Sequence, residues 1–376
     1  MDASVHLLPL QPGCHAGCPA CPHRHFRLQD SLEAKAGFLK ARLSPYAEVL
    51  AAVHTAGEAF RRGYRDKVCL AAVYESGMWH IGTRSRGKVI SIPGCPVHTG
   101  RVRNIHAYLL DQLPPAEDFP LAYVVQTAAQ LCLVLKSRLL PADETLAFLR
   151  TLMTEAFAPE GIWIHLHPAA GKKVFGKGGW HLISGKAVSV DESGLVYGPA
   201  AFQQLLPALY YHALQSAREF LSPGDDSLLV DLYSGTGSSI RYWELPPGRV
   251  IGVEADGEAV RLAGINVPAV TLLRGACRQR LPQLNVWLAE RNAAGRKRLL
   301  YVNPPRTGLE AEIIRWIMSD YRPSRLAYLS CSAGTLRRDL DLLADASYRV
   351  DSLIPYDFFP GTRHVETLAC LSDTRQ

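Results

Sequence analysis

The 376-residue sequence has no apolar run approaching the ~20 residues of a membrane span, and no window with the layout of a signal peptide. These absences exclude a membrane anchor of the helical kind and lead to the expectation of a cytoplasmic protein with no membrane partner. There is no internal repeat and no low-complexity tract. An even set of cysteines is also missing. Nine are present, an odd number that argues against a disulfide framework in a reducing compartment. What remains is ordinary for a soluble globular chain: 48% apolar and 20% charged residues, enough length for two or three domains, and no feature that demands an oligomer, so a monomer is expected.

The net charge of +6 is unevenly placed. Residues 1–110 hold 14 Lys and Arg against 7 Asp and Glu, a net of +7, while the remainder holds 27 against 28. A basic first third joined to a near-neutral rest suits a polyanion partner, RNA or DNA first. A solvated basic surface would give the same count.

Residues 1–30 are rich in Cys, His and Pro and have little periodicity. The next stretch, 31–62, reads as helix, with Leu39, Leu43, Val49, Leu50 and Val53 on its apolar face. Short strands follow from about 68 to 200 ("VCLAAVY", "KVISIPG", "LAYVVQTA", "QLCLVLKS", "GIWIHLHP", "KAVSV"), interrupted by a helical "DETLAFLRTLMTEAF". That is an α+β pattern. Near 200 it changes. A helix, "FQQLLPALYYHALQSAREFL", leads into alternating strands and helices: "SLLVDLY", "RVIGVEA", "AVTLLRGA", "RLLYVNPP", "RLAYLSCS", then "YRVDSLIPYDFF" and "HVETLACLS". The expected architecture is therefore an α+β domain over 1–197 and, over 198–376, an α/β Rossmann-like domain: a doubly wound, mostly parallel sheet closed by a terminal antiparallel hairpin.

"LLVDLYSGTGSSIRYW" is an apolar strand, a Gly235-Thr236-Gly237 turn and a helix. Two glycines permit a tight turn and close approach of a ligand to the backbone. The third glycine of a dinucleotide fingerprint is replaced by Ile240, and no Gly-Lys-Ser/Thr follows to make a phosphate loop. Asp231 lies inside the strand, and Glu254 ends the next one, where an acidic residue can bind ribose hydroxyls. This pairing suits S-adenosylmethionine (SAM), which has no pyrophosphate.

In an open α/β sheet, ligands bind beyond the carboxyl ends of the strands. "YVNPPRTG" leaves Asn303 and Arg306 there, Cys331 ends the next strand, and "GTRHVETLACL" places Glu366 at the last hairpin. Each alone has a plain reading as turn, core or surface. Together they put a thiol, a carboxylate and a SAM loop on one rim.

In order and spacing, "DLYSGTG", "VNPPRTGL", "LSCSAGTLRRDL" and "FFPGTRHVETLACL" resemble the motifs of the RNA 5-methyluridine methyltransferases, and "AAFQQ" is similar to their Phe-Phe-Gln segment. The resemblance covers about residues 198–371. It implies methylation of uracil C5 in RNA, with Cys331 as nucleophile, Glu366 as base, and Gln203, Asp231, Tyr233, Gly235, Gly237, Glu254 and Asn303 around SAM. The chemistry needs these types. Uracil C5 is a poor nucleophile until a thiolate adds at C6, and a base must then take the C5 proton. The sequence departs from the pattern in four places. Ser234 replaces a Cys, Leu205 replaces an Asn, "RGAC" lacks the acid expected at the adenine, and "SCSAGT" replaces Ser-Cys-Asn-Pro.

"GCHAGCPACPHRH" holds Cys14, Cys18 and Cys21, and "IPGCPVH" adds Cys95. Three crowded thiols and a distant fourth suit an iron–sulfur cluster, while His23 or His25 could instead complete a zinc site. The resemblance implies a [4Fe-4S] cluster on these four cysteines. It is also to the ribosomal RNA branch that lacks an N-terminal TRAM barrel, making ribosomal RNA the expected partner ahead of transfer RNA. Cys69, Cys132, Cys277 and Cys370 read as core. Two other function classes stay open: a radical-SAM enzyme built on the C-x3-C-x2-C spacing, and a non-catalytic RNA-binding protein with a degenerate SAM pocket.

Overall fold

The computed structural model describes residues 7–292 and 295–375. No described helix is long and apolar enough to cross a membrane. The chain forms two compact units. The first takes the chain up to Arg27 and Gly57–Leu205; the second takes Leu28–Ala56 and everything from Leu206 onward. This differs from continuous units at 1–197 and 198–376, because residues 28–56 pack with the C-terminal half.

The reason lies in helix α1, Leu28–Arg42. Its residue Leu39, and Leu43 just past its end, are fully buried in the core of the second unit. The helix expected to run to residue 62 stops at Arg42: Leu43 leaves helical geometry at φ −110°, ψ 31°, and Pro45 has no N–H to continue the ladder. A 3-10 turn, Ser44–Val49, follows. The chain then extends, and Ala51 and His54 donate backbone hydrogen bonds to Leu353 and Pro355, each 2.8 Å. Val49, Leu50 and Val53 are partly buried against the same core, but not as part of a helix.

The first unit is built on a seven-stranded sheet of order β3-β2-β1-β4-β5-β6-β7. The strands are β1 Lys67–Glu75, β2 Met78–Ser85, β3 Lys88–Ser91, β4 Leu121–Thr127, β5 Gln130–Leu135, β6 Gly161–Leu166 and β7 Trp180–Gly185. Only β5 and β6 pair in parallel. One face buries Leu70, Val124, Leu133 and Ile164 against helices α2, Gly100–Gln112, and α3, Ala147–Leu152. The other face carries Ala71, Tyr123, Cys132 and Val134. A small hairpin, β8 Ser189–Val190 and β9 Val196–Tyr197, completes the unit. The helical stretch read at 143–157 is helical only over α3. Strands β2 and β7 and helix α2 were not anticipated.

In the second unit, α4 (Pro207–Leu221) starts at its proline rather than at Phe202. Then come β10 Ser227–Leu232, α5 Ser238–Tyr242, β11 Val250–Glu254, α6 Gly257–Asn266, β12 Thr271–Arg274, α7 Leu281–Glu290, β13 Lys297–Val302, α8 Ala311–Trp316, β14 Arg325–Ser330, α9 Ala333–Asp345, β15 Tyr348–Tyr356 and β16 Glu366–Asp373. The sheet order is β12-β11-β10-β13-β14-β16-β15. It is parallel from β12 to β14 and antiparallel at β16 and β15. Every residue of β10 is buried, as a strand covered on both faces requires. The order reverses between β10 and β13, and that is where the doubly wound fold opens a crevice.

Candidate active site

The turn after β10 begins with strain. Tyr233 has φ 61°, in the left-handed region where a tyrosine is out of place, and such residues cluster at functional sites. Gly235 follows at φ 55°, and a Cβ built there would meet no heavy atom within 4 Å. That open space beside an exposed backbone suits a small ligand lying on the loop. Glu254 holds the loop in place: its carboxylate accepts from Gly235 N at 3.0 Å and from Asp256 N at 2.8 Å. Asn266 donates to Thr236 O at 2.9 Å, and a Cβ on Gly237 would press on Val267 at 3.0 Å. The Tyr233 hydroxyl donates to Glu310, a carboxylate that sequence reading passed over.

Asp231 plays a different part. It is fully buried, and its Oδ2 accepts from Trp243 Nε1 at 2.8 Å. Burial pushes its carboxyl up to about 7, although hydrogen bonds from Trp243 and Ser239 pull the other way. Its placement is that of a residue bracing the strand against α5. Gln203 falls in the first unit, half-buried in the segment before α4.

The nucleophile candidate sits at the end of β14. The β14–β16 ladder finishes with Ser330 opposite Thr367, so the next residue on each chain, Cys331 and Glu366, emerge at the same end of the sheet. Cys331 is half-buried and Glu366 is 5% exposed. Burial raises the Cys331 thiol, the Glu366 charge raises it further, and the Arg306 guanidinium pulls it down. The three groups therefore share one electrostatic neighbourhood. Arg306 follows Asn303, whose backbone N donates to Leu232 O at 3.4 Å, tying this loop to the end of β10.

At the "SCSAGT" departure the turn is held by serine hydroxyls. Ser330 Oγ accepts from Ser332 N at 3.3 Å, and Ser332 Oγ accepts from Thr335 N, capping α9. The α9 N-terminus thus begins two residues after the thiol, where its partial positive charge favours a thiolate.

The loop before Glu366 is fixed from an unexpected direction. Lys35, on α1, has a side chain with no solvent exposure and forms an ion pair with the equally buried Asp357. It also donates to Phe359 O at 3.3 Å. Thr362 Oγ1 donates to Phe359 O at 2.8 Å and accepts from His364 N at 3.1 Å. Arg363 and His364 are exposed beside it. Sequence held one signal for Lys35: it lies in the row Ser31, Lys35, Leu39, Leu43, spaced by four, and so on the helix face that becomes buried.

In the first unit the cysteine segments meet. Gly13 and Gly94 cross so closely that a Cβ on Gly13 would lie 2.0 Å from Gly94 O, which brings Cys14 and Cys95 together. Burial pushes the Cys21 thiol up to about 11, with further contributions from Cys95, Cys18 and Cys14. Yet among the described residues no group of three or more His, Cys, Asp or Glu side chains is arranged to hold a metal ion. The four thiols share one electrostatic neighbourhood, and Cys18 Sγ lies 3.4 Å from the Thr83 hydroxyl. His25 contacts Leu8 O at 2.8 Å, and His23 stacks on Phe26 with ring centroids 4.8 Å apart. The expected metal centre is therefore not borne out by this arrangement.

A seven-stranded sheet of this order, with a glycine turn after β10, its first strand in the chain, defines the class of α/β methyltransferase folds. Comparison with known proteins narrows it. Residues 295–374 match the model of the tRNA (uracil-5-)-methyltransferase family. An uncharacterized RNA methyltransferase of Bacteroides thetaiotaomicron is 32% identical over 199 residues, which is 51% of this chain and 42% of that one. One from Clostridium tetani is 25% identical over 96% of this chain and 83% of the relative. The match thus spans less than half of the Bacteroides relative. Among solved structures, the tRNA (uracil-54, C5)-methyltransferase of Pyrococcus abyssi, in complex with S-adenosyl-L-homocysteine, shares the fold: TM-score 0.69, 22% identity, 96% of this chain and 86% of that one. The family match lies within the second unit, and the Pyrococcus structure shares the fold.

Proposed function

We propose that the protein is a SAM-dependent RNA methyltransferase that acts on uracil C5 through a covalent adduct at Cys331. The observation that carries this reading is the shared position of Cys331 and Glu366 at the end of the β14–β16 ladder, with Arg306 beside them. The loop of Tyr233, Gly235 and Gly237, with Glu254 and Asn303, is the SAM site in this proposal; it supplies an electrophilic methyl group when occupied. Cys331, as thiolate, adds to C6 and makes C5 electron-rich enough to accept that methyl group. The Glu366 carboxylate then removes the C5 proton, the C6–S bond breaks, and the thiolate is regenerated. The target uridine must leave its stack to reach the rim.

A four-thiolate iron–sulfur group at Cys14, Cys18, Cys21 and Cys95 is part of the same proposal. The Gly13–Gly94 crossing supports it, and iron and acid-labile sulfide analysis tests it. It has no part in the steps above.

The central test is substitution at the rim. Cys331→Ala should lower methylation of both ribosomal and transfer RNA to below about one thousandth of the native rate. Glu366→Gln should accumulate a covalent protein–RNA adduct visible by denaturing electrophoresis. Native turnover by the Cys331→Ala protein would end the mechanism.

A further inference from the structure

Between Glu160 and Asp191 the chain contains no acidic residue and four lysines. Lys186 pairs with Glu160 at 3.5 Å. The other three, Lys172, Lys173 and Lys177, are exposed on the loop from β6 to β7. That loop is held at several points. The Tyr123 hydroxyl donates to Gly171 O, His167 Nδ1 lies 3.1 Å from Val174 O, and Gly176 N donates to His165 Nε2 at 3.1 Å. Gly178 passes so close to Leu166 O that a Cβ would sit 1.6 Å from it. The lysines are therefore presented from a fixed loop.

At its far end stands Trp180, 38% exposed. The indole is braced by His165 at 4.3 Å between ring centroids and by Phe175 at 5.0 Å. His165 is fully buried, and burial lowers its imidazole to about 4, so at neutral pH it is an uncharged ring in this stack. A large aromatic held in a stack but left partly open to water, on a segment with lysines and no acidic residue, has a ready occupant. Unpaired bases stack on such rings whatever their sequence, while lysines take the phosphates; a duplex hides its base faces.

We propose that the β6–β7 loop is a binding site for unpaired RNA, in which Trp180 stacks on a base and Lys172, Lys173 and Lys177 hold the neighbouring phosphates. The proposal rests on the reading that RNA is the substrate, and it adds where a strand outside the reacting uridine is held.

The test measures binding of a fluorescein-labelled 12-mer oligouridylate and of an RNA duplex of equal length to the full-length protein, by anisotropy at several KCl concentrations. Trp180→Ala should weaken binding of the single strand by roughly 5- to 100-fold, the range for one base–aromatic stack. Trp180→Phe should restore most of it. Replacing the three lysines by Gln should reduce the slope of log affinity against log salt by about 2. Native single-strand affinity in Trp180→Ala, or equal affinity for the duplex, overturns the proposal. If Trp180→Ala unfolds, the salt slope of the lysine variant decides alone. The same proteins are incubated with SAM and RNA carrying 5-fluorouracil, which has no C5 proton to lose. Adduct formation at Cys331 with no dependence of binding on Trp180 removes this site alone. Trp180-dependent binding with no adduct keeps the site and removes the enzyme.

Discussion

Each unit is built on a seven-stranded sheet with central strands buried on both faces, and the two differ in what they leave open. In the second sheet β10 is buried throughout, and the strand ends at Gly235, Asn303, Cys331 and Glu366 lie along one rim. The first sheet buries one face under α2 and α3 and also covers the middle of the other, where Tyr123, Cys132 and Val134 are buried, but its edge strand β7 leaves Trp180 half-open beside the lysine loop. The difference teaches where function can lodge. A parallel sheet must cover both faces, which leaves its rim for chemistry. A mostly antiparallel sheet can leave an edge strand half-exposed and offer that edge to a partner, as β7 does here.

That contrast breaks if the second unit's interior tolerates water. The largest effect is expected at Lys35. Removing one member of a fully buried ion pair strands the other charge, at a cost of about 3–5 kcal/mol. Lys35→Met should lower the midpoint of chemical denaturation accordingly. Lys35→Met with Asp357→Leu, which removes both charges, should be more stable than the single variant. A single variant as stable as the native protein would show that water reaches the pair. If Lys35 positions the base loop, adduct breakdown at Glu366 should also slow in whatever fraction remains folded.

A smaller effect follows from Asp231. Its carboxyl is raised from 3.8 to about 7, chiefly by burial. The folded chain therefore holds a proton that the unfolded chain gives up above 3.8. The stability this contributes is complete below that value and is lost as pH rises through about 7. Asp231→Asn, neutral throughout, should flatten the fall in melting temperature between pH 5 and pH 8. The bound is on the order of 4 kcal/mol, from 1.36 kcal/mol per unit. An unchanged pH profile would mean the strand is wetter than its burial says.

The second sheet was far easier to read in the sequence than the first, and the same contrast explains why. Strands buried on both faces appear as continuous apolar runs, so all seven of that sheet were legible and "RLAYLSCS" pointed directly to Cys331. In the first sheet, β2 and β7 mix Trp, His, Gly and Ser with exposed positions, and neither periodicity nor hydropathy marks them. At the site, residues whose role is set by their own chemistry were visible. Those whose role comes from distant packing were not. Lys35 and Asp357 stand 322 positions apart, and Glu310 matters only because Tyr233 turns toward it. Asp231 looked like a ligand residue because it sits beside the glycine turn; alternation along the strand aims it at Trp243 instead. Residues 28–56 group with the C-terminal half, although continuity along the chain suggested the N-terminal one.

The smallest effect concerns the rim itself and should have two signs. Two charges act on the Cys331 thiol in opposite directions: Glu366 raises it and Arg306 lowers it. Arg306→Gln should move the pH dependence of Cys331 alkylation, followed by mass spectrometry of its peptide, to higher pH. Glu366→Gln should move it to lower pH. Both shifts should be modest, because the thiol is half-buried and water reaches it. A thiol in the dry interior, such as Cys132, whose raised pKa comes mainly from burial, should move with neither. Opposed shifts at Cys331 and none at Cys132 would locate the reactive chemistry at the strand ends of the second sheet. Shifts of the same sign at Cys331 would mean that the two side chains act on the fold rather than on the thiol.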